Sequence, residues 1–202
     1  KILLKKLLSI SWITLKISFL AAILTFIIGV IVALMRLSSF QFLKDIATVY
    51  VTVIRGTPLL VQIFLFYFIV ANIFELESFI AGVLSLGIFF GAYMAEILRG
   101  AIQSIDKGQL EASKSLGMTN FQAMRYIILP QAFKRALPTL VGEMIALIKD
   151  SSLVSVISIT DLTKVGKEIV ANTFSAFETW IVIALVYLTI TSILSYIGHV
   201  LE

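Results

Sequence analysis

Glu143, Asp150, Ser158, Asp161 and Gln62 are polar groups set among apolar runs, and they are the residues from which chemistry could be expected. Thr139, Gly142, Glu143, Ala146 and Asp150 recur at helical spacing, so one face of a helix would be small, polar and acidic. Leu140, Val141, Met144, Ile145, Leu147 and Ile148 fill the rest of its circumference. Such a stripe suits a helix lining a polar pathway. An ionised carboxylate at the centre of a membrane costs about 3 kcal/mol on insertion scales, so Glu143 requires a cationic partner or a water-filled cavity. Lys149 lies off the face of Glu143, which weakens a structural pair between them. Asp161 shares a possible helical face with Ser158; capping a loop is its other reading. Were the chain to fold Asp161 back beside Glu143, the two carboxylates would select a guanidinium or ammonium ion, which offsets their repulsion. Arginine or lysine would fit that site best. Gln62 is expected to bond to a neighbouring helix.

The composition places these groups in a membrane. The chain has 202 residues, 59% of them hydrophobic and 14% charged, and a mean hydropathy of +1.04. A soluble domain carries about 25% charged residues, so this is an integral membrane protein of one-domain size. The net charge of +4 is too small to suggest nucleic acid. There is no cysteine, and the one histidine, His199, reads as interfacial, so no zinc cluster and no disulfide framework are expected. No phosphate-binding Gly-x-x-x-x-Gly-Lys loop and no Gly-x-Ser-x-Gly elbow occur, so neither ATP binding by that device nor acyl chemistry is expected. No catalytic residue and no cofactor are assigned, and no cleavable signal peptide is evident.

Five spans are expected to position the polar groups, at about 17–35, 58–74, 79–98, 136–150 and 179–198. Residues 1–16, with Lys1, Lys5, Lys6 and Lys16, form either a surface helix or an extension of the first span. Phe42 to Arg55 reads as a shorter helix. Thr57 is expected to cap the second span and Pro58 to begin it. Gly87, Gly91 and Ala95 make a small-residue stripe for close helix approach, and Glu96 is expected to pair with Arg99. Leu153 to Ile159 is too short to cross a bilayer, so a re-entrant segment buried against protein is expected. Trp180 and Tyr196 are placed like interfacial anchors. Nine of the sixteen basic residues lie in the loops after spans one and three, and none in the 75–78 turn. That bias puts those loops and the C-terminus in the cytoplasm and the N-terminus outside, although the N-terminal lysines oppose it locally.

Between spans three and four, residues 111–130 read as two short helices broken at Gly117, with Thr119 or Asn120 capping the second, which runs to Pro130. Leu116, Met118, Phe121, Met124 and Tyr126 would form an apolar surface suited to a partner's groove. Glu111-Ala112-Ser113, Gly117 and Ile127-x-Leu129-Pro130 resemble the EAA loop of ABC importer permeases, with Ser113 in place of the second alanine. Arg55-Gly-Thr-Pro-Leu-Leu-Val-Gln62, Gly91-Ala-Tyr-Met-Ala-Glu96 through Arg99-Gly100, and Leu147-Ile-Lys-Asp-Ser-Ser-Leu153 resemble the polar amino acid permeases of the histidine/glutamine type.

The resemblance implies an all-α membrane domain with a cytoplasmic coupling-helix loop at about 106–130, in the bacterial inner membrane. It implies a second permease copy or paralogue, two cytoplasmic ATPases that bind ATP and Mg, and an extracellular solute-binding protein that delivers an amino acid. Glu111, Ala112, Leu116, Gly117, Met118 and Phe121 would dock the ATPase; Glu143, Asp161, Ser158, Asp150 and Gln62 would meet a basic or polar amino acid. Alternating access would follow ATP-driven closure. Two other readings are an ion-coupled secondary transporter using Glu143 and Asp161 as coupling carboxylates, and a structural membrane subunit with no solute site.

Overall fold

A computed structural model describes the backbone of residues 2–201 and the side chains of residues 11–200. All regular structure in it is helical. Helix α1 covers Ile2–Leu37, longer at both ends than the expected span; Lys1, Lys5 and Lys6 lie outside the residues whose side chains are described. Helix α2 covers Gln41–Arg55, α3 covers Leu59–Leu65 and continues as a π-helical turn through Ala71, and α4 covers Ser78–Gln103. Helices α5 (Lys107–Ser115) and α6 (Asn120–Ala123) follow, and a second π-helical turn, Met124–Ile128, leads into α7, Leu129–Asp150. A 3-10 helix (Ser151–Ile157), α8 (Leu162–Thr173) and α9 (Ala176–Leu201) complete the chain.

Helix α4 is the central post. More than half of its apolar window is buried (56%), against 11% for α9, which is left largely for lipid or another subunit. Glycine makes its closest contact possible. Gly82 meets Ile17, Gly87 meets Leu24, and Gly91 meets Ile28, so α1 and α4 run parallel in register. A Cβ on Gly87 would lie 2.6 Å from a Leu24 methyl, a distance that real Cβ atoms do not reach. Only small residues let two membrane helices approach so closely. The expected stripe of Gly87, Gly91 and Ala95 is therefore the α1–α4 seam, extended at Gly82.

The second membrane element differs from a plain span. Helices α2 and α3 meet at 107°. Pro58, not Thr57, is the residue before the first turn of α3, and Thr57 instead donates its hydroxyl to Val53 O of α2 at 3.0 Å. Thr57 thus closes the helix behind it. Among the described residues three helices are long and apolar enough to cross a membrane, or four if the bent pair counts as one span. Helix α7, with Lys134, Arg135, Glu143, Lys149 and Asp150, is too polar to meet that standard.

Pro130 does not end a helix as expected. It enters α7 at the first turn, directly after the π-helical turn. Proline offers no N–H and clashes with the carbonyl four residues back. A wider turn next to it is the kind of local adjustment that keeps such a chain helical. Pro138 lies farther inside α7.

After Asp150 the chain enters the core as a short 3-10 helix. Val154 and Ile157 are almost fully buried with Ile17, Ile63, Leu86 and Leu147 in the main core. Irregular backbone at membrane depth needs this cover, because lipid cannot satisfy its polar groups. One such group, the Leu162 N–H, donates to Thr14 Oγ1 of α1 at 3.2 Å.

Candidate functional site

Two regions carry the residues singled out above. The first is the acidic stripe of α7. Leu140 and Leu147, three residues before and four after Glu143 and so next to it on the helix, are buried, while Thr139 and Gly142 are exposed and Glu143, Ala146 and Asp150 are partly so. Open space surrounds Gly142 where a side chain would begin. The stripe is therefore only partly covered by the rest of this chain. Arg55 of α2 is the cation whose charge acts on Glu143, and Asp150 is the neighbouring anion. Lys149 acts on Asp150 instead. An apolar groove of about 690 Å³ lies between α1, α7 and α9, but it opens on Met144, Leu147 and Ile148. Its lining is apolar apart from Lys16 and Ser18 of α1, and it includes none of the acidic stripe.

Asp161 and Ser158 do not join this stripe in one contact. Asp161 is fully buried before α8, where its carboxylate accepts from Thr163 N at 3.1 Å and Lys164 N at 2.9 Å. Burial raises its pKa above the ordinary aspartate value, and these N–H groups pull the other way. It is an N-cap, the second of its two sequence readings. Ser158 is exposed in the left-handed region, with φ 67°, and its carbonyl accepts from the Lys164 ammonium at 2.9 Å.

Gln62 is 3% exposed. Its Nε2 donates to Ile54 O at 2.8 Å and to Thr57 Oγ1 at 2.7 Å, fastening α3 back onto the end of α2. The amide holds the bend behind which Arg55 is presented.

Glu96 pairs with Arg99, as its spacing suggested, through Nε at 2.5 Å and Nη2 at 3.1 Å. Two further arginines join it: Arg36 at 3.5 Å and Arg55 at 3.7 Å. Sequence spacing carries no sign of either, because the partners lie on α1 and α2. The Arg55 guanidinium also lies 5.0 Å from the Tyr93 ring centroid.

The second region is the turn between α5 and α6. Asp106 caps α5 by accepting from Gly108 N at 2.6 Å, a cap the sequence reading missed. Acidic and hydroxyl residues just before a helical run are the signal that could have found it. Gly117, at φ 81°, ends α5 in a Schellman turn: Met118 N donates to Ser113 O at 3.1 Å and Gly117 N to Lys114 O at 2.9 Å. Thr119 caps α6 in a full capping box with Gln122. Leu116 and Phe121, 83% and 70% exposed, flank the turn. Glu111 and Ala112 are exposed and Met118 partly so. Ser113, in place of the second alanine, is buried, and its hydroxyl donates to Leu110 O at 2.8 Å. Arg135 of α7 donates to Ser104 O at 2.6 Å, joining α7 to the end of α4 from which the connection to the turn departs.

The family model described as the binding-protein-dependent transport system inner membrane component matches residues 7–202. The glutamine transport system permease protein of Escherichia coli K12 is 42% identical over 179 residues, covering 87% of this chain and 82% of that protein. The arginine transport system permease protein of Bacillus subtilis is 38% identical over 192 residues, with 94% and 88% covered. A solved amino acid ABC transporter with histidines superposes at a TM-score of 0.90 with 44% identity, covering 97% of this chain and 92% of its own. The MetNI methionine ABC transporter superposes at 0.83 with 19% identity, a likeness of fold alone.

Proposed function

The chain belongs to the family of binding-protein-dependent transport system inner membrane components, as a permease subunit of an ATP-binding-cassette importer, and from that premise we propose that it carries polar amino acids, cationic ones preferred. ATP hydrolysis then belongs to a separate subunit, and the ion-coupled reading is set aside. The observation that carries the substrate preference is the acidic stripe on α7, Glu143 and Asp150, which the rest of the chain leaves partly exposed. Two carboxylates in a partly buried site favour an ammonium or guanidinium group over a neutral amide. Relatives named for glutamine and for arginine frame that choice.

The docking role falls to the turn between α5 and α6. Leu116, Gly117, Met118 and Phe121, with Glu111 and Ala112 behind them, form a knob whose shape is fixed by backbone bonds. Exposed leucine and phenylalanine at a rigid tip suit insertion into a partner's groove. The partners are a cytoplasmic ATPase dimer, a second permease subunit, identical or paralogous, and an external solute-binding protein. Helix α7 and the bent α2–α3 pair complete five crossings in a bacterial inner membrane. The N-terminus lies outside and the C-terminus in the cytoplasm, which places the docking turn, beyond the Arg36–Arg55–Arg99 end of the bundle, inside.

The test is uptake by proteoliposomes containing the permease, its ATPase and its binding protein. ATP inside should drive entry of arginine, lysine, histidine or glutamine, and an ionophore that collapses ion gradients should leave the rate unchanged. Uptake without ATP that follows an ion gradient would overturn the reading. A Leu116→Ala, Phe121→Ala double variant should keep its fold yet lose roughly tenfold or more in ATPase affinity, as for two interface anchors.

A further inference from the structure

We propose that α2 lies along the cytoplasmic surface of the membrane, and that Arg36 and Arg55, where α1 and α2 end, hold the headgroup of an anionic phospholipid of the inner leaflet. This rests on the permease reading for its membrane setting and for which end of the bundle is cytoplasmic.

Two rows of side chains run along α2. Phe42, Ile46, Val49 and Val53 recur at helical spacing and are 46% to 67% exposed. Gln41, Lys44, Thr48, Thr52 and Arg55 form a polar row, also open to the surroundings except for the half-buried Thr48. Between the rows, Ala47 and Val51 are buried with Val32 and Ala33 of α1 and Ala92 and Ala95 of α4. A helix with an apolar side, a polar side and a packed side has the form of one lying in an interface. The bend agrees: α2 meets α3 at 107°, so where α3 crosses the bilayer α2 runs close to parallel with its surface. Contacts with α4 fix which row faces inward. Tyr50, one turn from both Ile46 and Val53, donates its hydroxyl to Ile88 O at 2.5 Å. Arg55, in the polar row, reaches Glu96, which lies eight positions and about 12 Å farther toward the cytoplasmic end of α4. The apolar row is on the side of the membrane interior, and the polar row is on the side of the cytoplasm.

Charge on that cytoplasmic side is unbalanced. Guanidinium groups of α1, α2 and α4, from Arg36, Arg55 and Arg99, converge on the one carboxylate of Glu96. Arg99 takes it with Nε at 2.5 Å and Nη2 at 3.1 Å, a bidentate pair that offsets a single positive charge. Arg36 at 3.5 Å and Arg55 at 3.7 Å are left in excess. The buried Nε of Arg36 has no acceptor among the described residues. The Arg55 side chain is 43% exposed, and its guanidinium lies 5.0 Å from the Tyr93 ring centroid, which steadies it without occupying its N–H donors. Two surplus guanidinium groups beside an exposed apolar row fit an anion that carries acyl chains. Its phosphate matches the guanidinium fork, and its chains cover Phe42, Ile46, Val49 and Val53. A second permease subunit on this face would account for the apolar row but not for the surplus charge.

The experiment uses the whole permease–ATPase complex and has two readouts. The chain has no cysteine, so single spin labels can be placed at I46C and T48C, with the unsubstituted complex as background. In nanodiscs of phosphatidylglycerol and phosphatidylethanolamine, oxygen dissolved in the bilayer should relax the label at position 46, and a water-soluble nickel chelate the label at position 48. Native mass spectrometry after a mild detergent wash should find the retained lipid enriched in phosphatidylglycerol. R55Q, which leaves Glu96 paired with Arg99 and Arg36, should lower that enrichment roughly fivefold, the equivalent of one arginine's attraction to an anionic surface. R55K should keep most of it. Shielding of both labels from oxygen and from nickel would place another protein on this face and overturn the proposal. Equal retention of the two lipids by wild type, or undiminished enrichment in R55Q, would overturn it as well. Displacement of the lipid by inorganic phosphate would make this a site for a free anion and overturn the lipid assignment. A complex that meets these expectations yet fails in ATP-driven uptake would strike the permease reading and leave the lipid site standing.

Discussion

The joint between α2 and α3 and the joint between α5 and α6 each redirect a helix within a few residues, but different bonds hold them. At the first, side chains make the bonds: Gln62 is almost fully buried and donates to Ile54 O and the Thr57 hydroxyl, and the exposed Thr57 closes onto Val53 O. At the second, the backbone holds the turn through the Gly117 and Met118 N–H groups, and the large side chains, Leu116 and Phe121, are left outside. A joint held by a buried side chain from the next turn can draw on its neighbours. A joint that must offer its side chains to another protein needs a shape that survives without them. The difference marks which of the two is a contact surface.

Changing Gly117 to Asp should break this contrast most severely. The residue holds φ 81°, where an L side chain costs roughly 1–2 kcal/mol. No heavy atom lies within 4 Å of its missing Cβ, so the new carboxylate would project from the tip rather than disturb the fold. The variant is expected to reach the membrane and lose most ATP-driven uptake, with the ATPase no longer co-purifying. Normal co-purification with normal substrate-stimulated turnover would sink the docking assignment.

Gln62→Leu should show the opposite pattern. It removes two good hydrogen bonds and leaves Ile54 O facing an apolar group, at a cost of about 1–3 kcal/mol. Thermal unfolding in detergent should shift downward, while ATPase affinity stays within about twofold, since the docking turn is a separate element. A fall in affinity without a loss of stability would mean that the bend takes part in coupling.

Much of this was legible in the sequence because local rules wrote it. Gly117 and Thr119 form a stop and a start that depend only on residues within one turn, and both are where the sequence put them. The stripe of Gly87, Gly91 and Ala95 was readable because periodicity survives packing. What stayed hidden depends on bonds between distant elements. Arg36 and Arg55 lie 60 and 41 positions from Glu96 (96 − 36 and 96 − 55), too far for any helical spacing to join them. The deflection at Thr57 was missed because two chemistries competed: a threonine before Pro58 can cap forward or bond backward, and Gln62 favours the second by accepting nothing from it and donating to its hydroxyl. Pro130 read as a stop because the rule for proline assumes an α-helical frame, and a π-helical turn precedes it here.

Thr119→Ala is the smallest expected effect and the sharpest probe of what the backbone alone achieves at the docking turn. Thr119 Oγ1 accepts from Gln122 N at 3.2 Å, and Gln122 Oε1 accepts from Thr119 N at 2.8 Å. Removing the hydroxyl loses one half of this box, typically about 1 kcal/mol. The Schellman bonds on the other side of Gly117 do not involve it, so α5 should keep its end. Amide hydrogen exchange should then rise at Gln122 and Ala123 and stay unchanged at Gly117 and Met118. ATPase affinity should fall by roughly fivefold, the equivalent of that 1 kcal/mol if docking must order α6 again. Unchanged affinity with faster exchange at Gln122 would show that the partner reads Leu116 and the Gly117 turn alone, and would confine the contact surface to the end of α5.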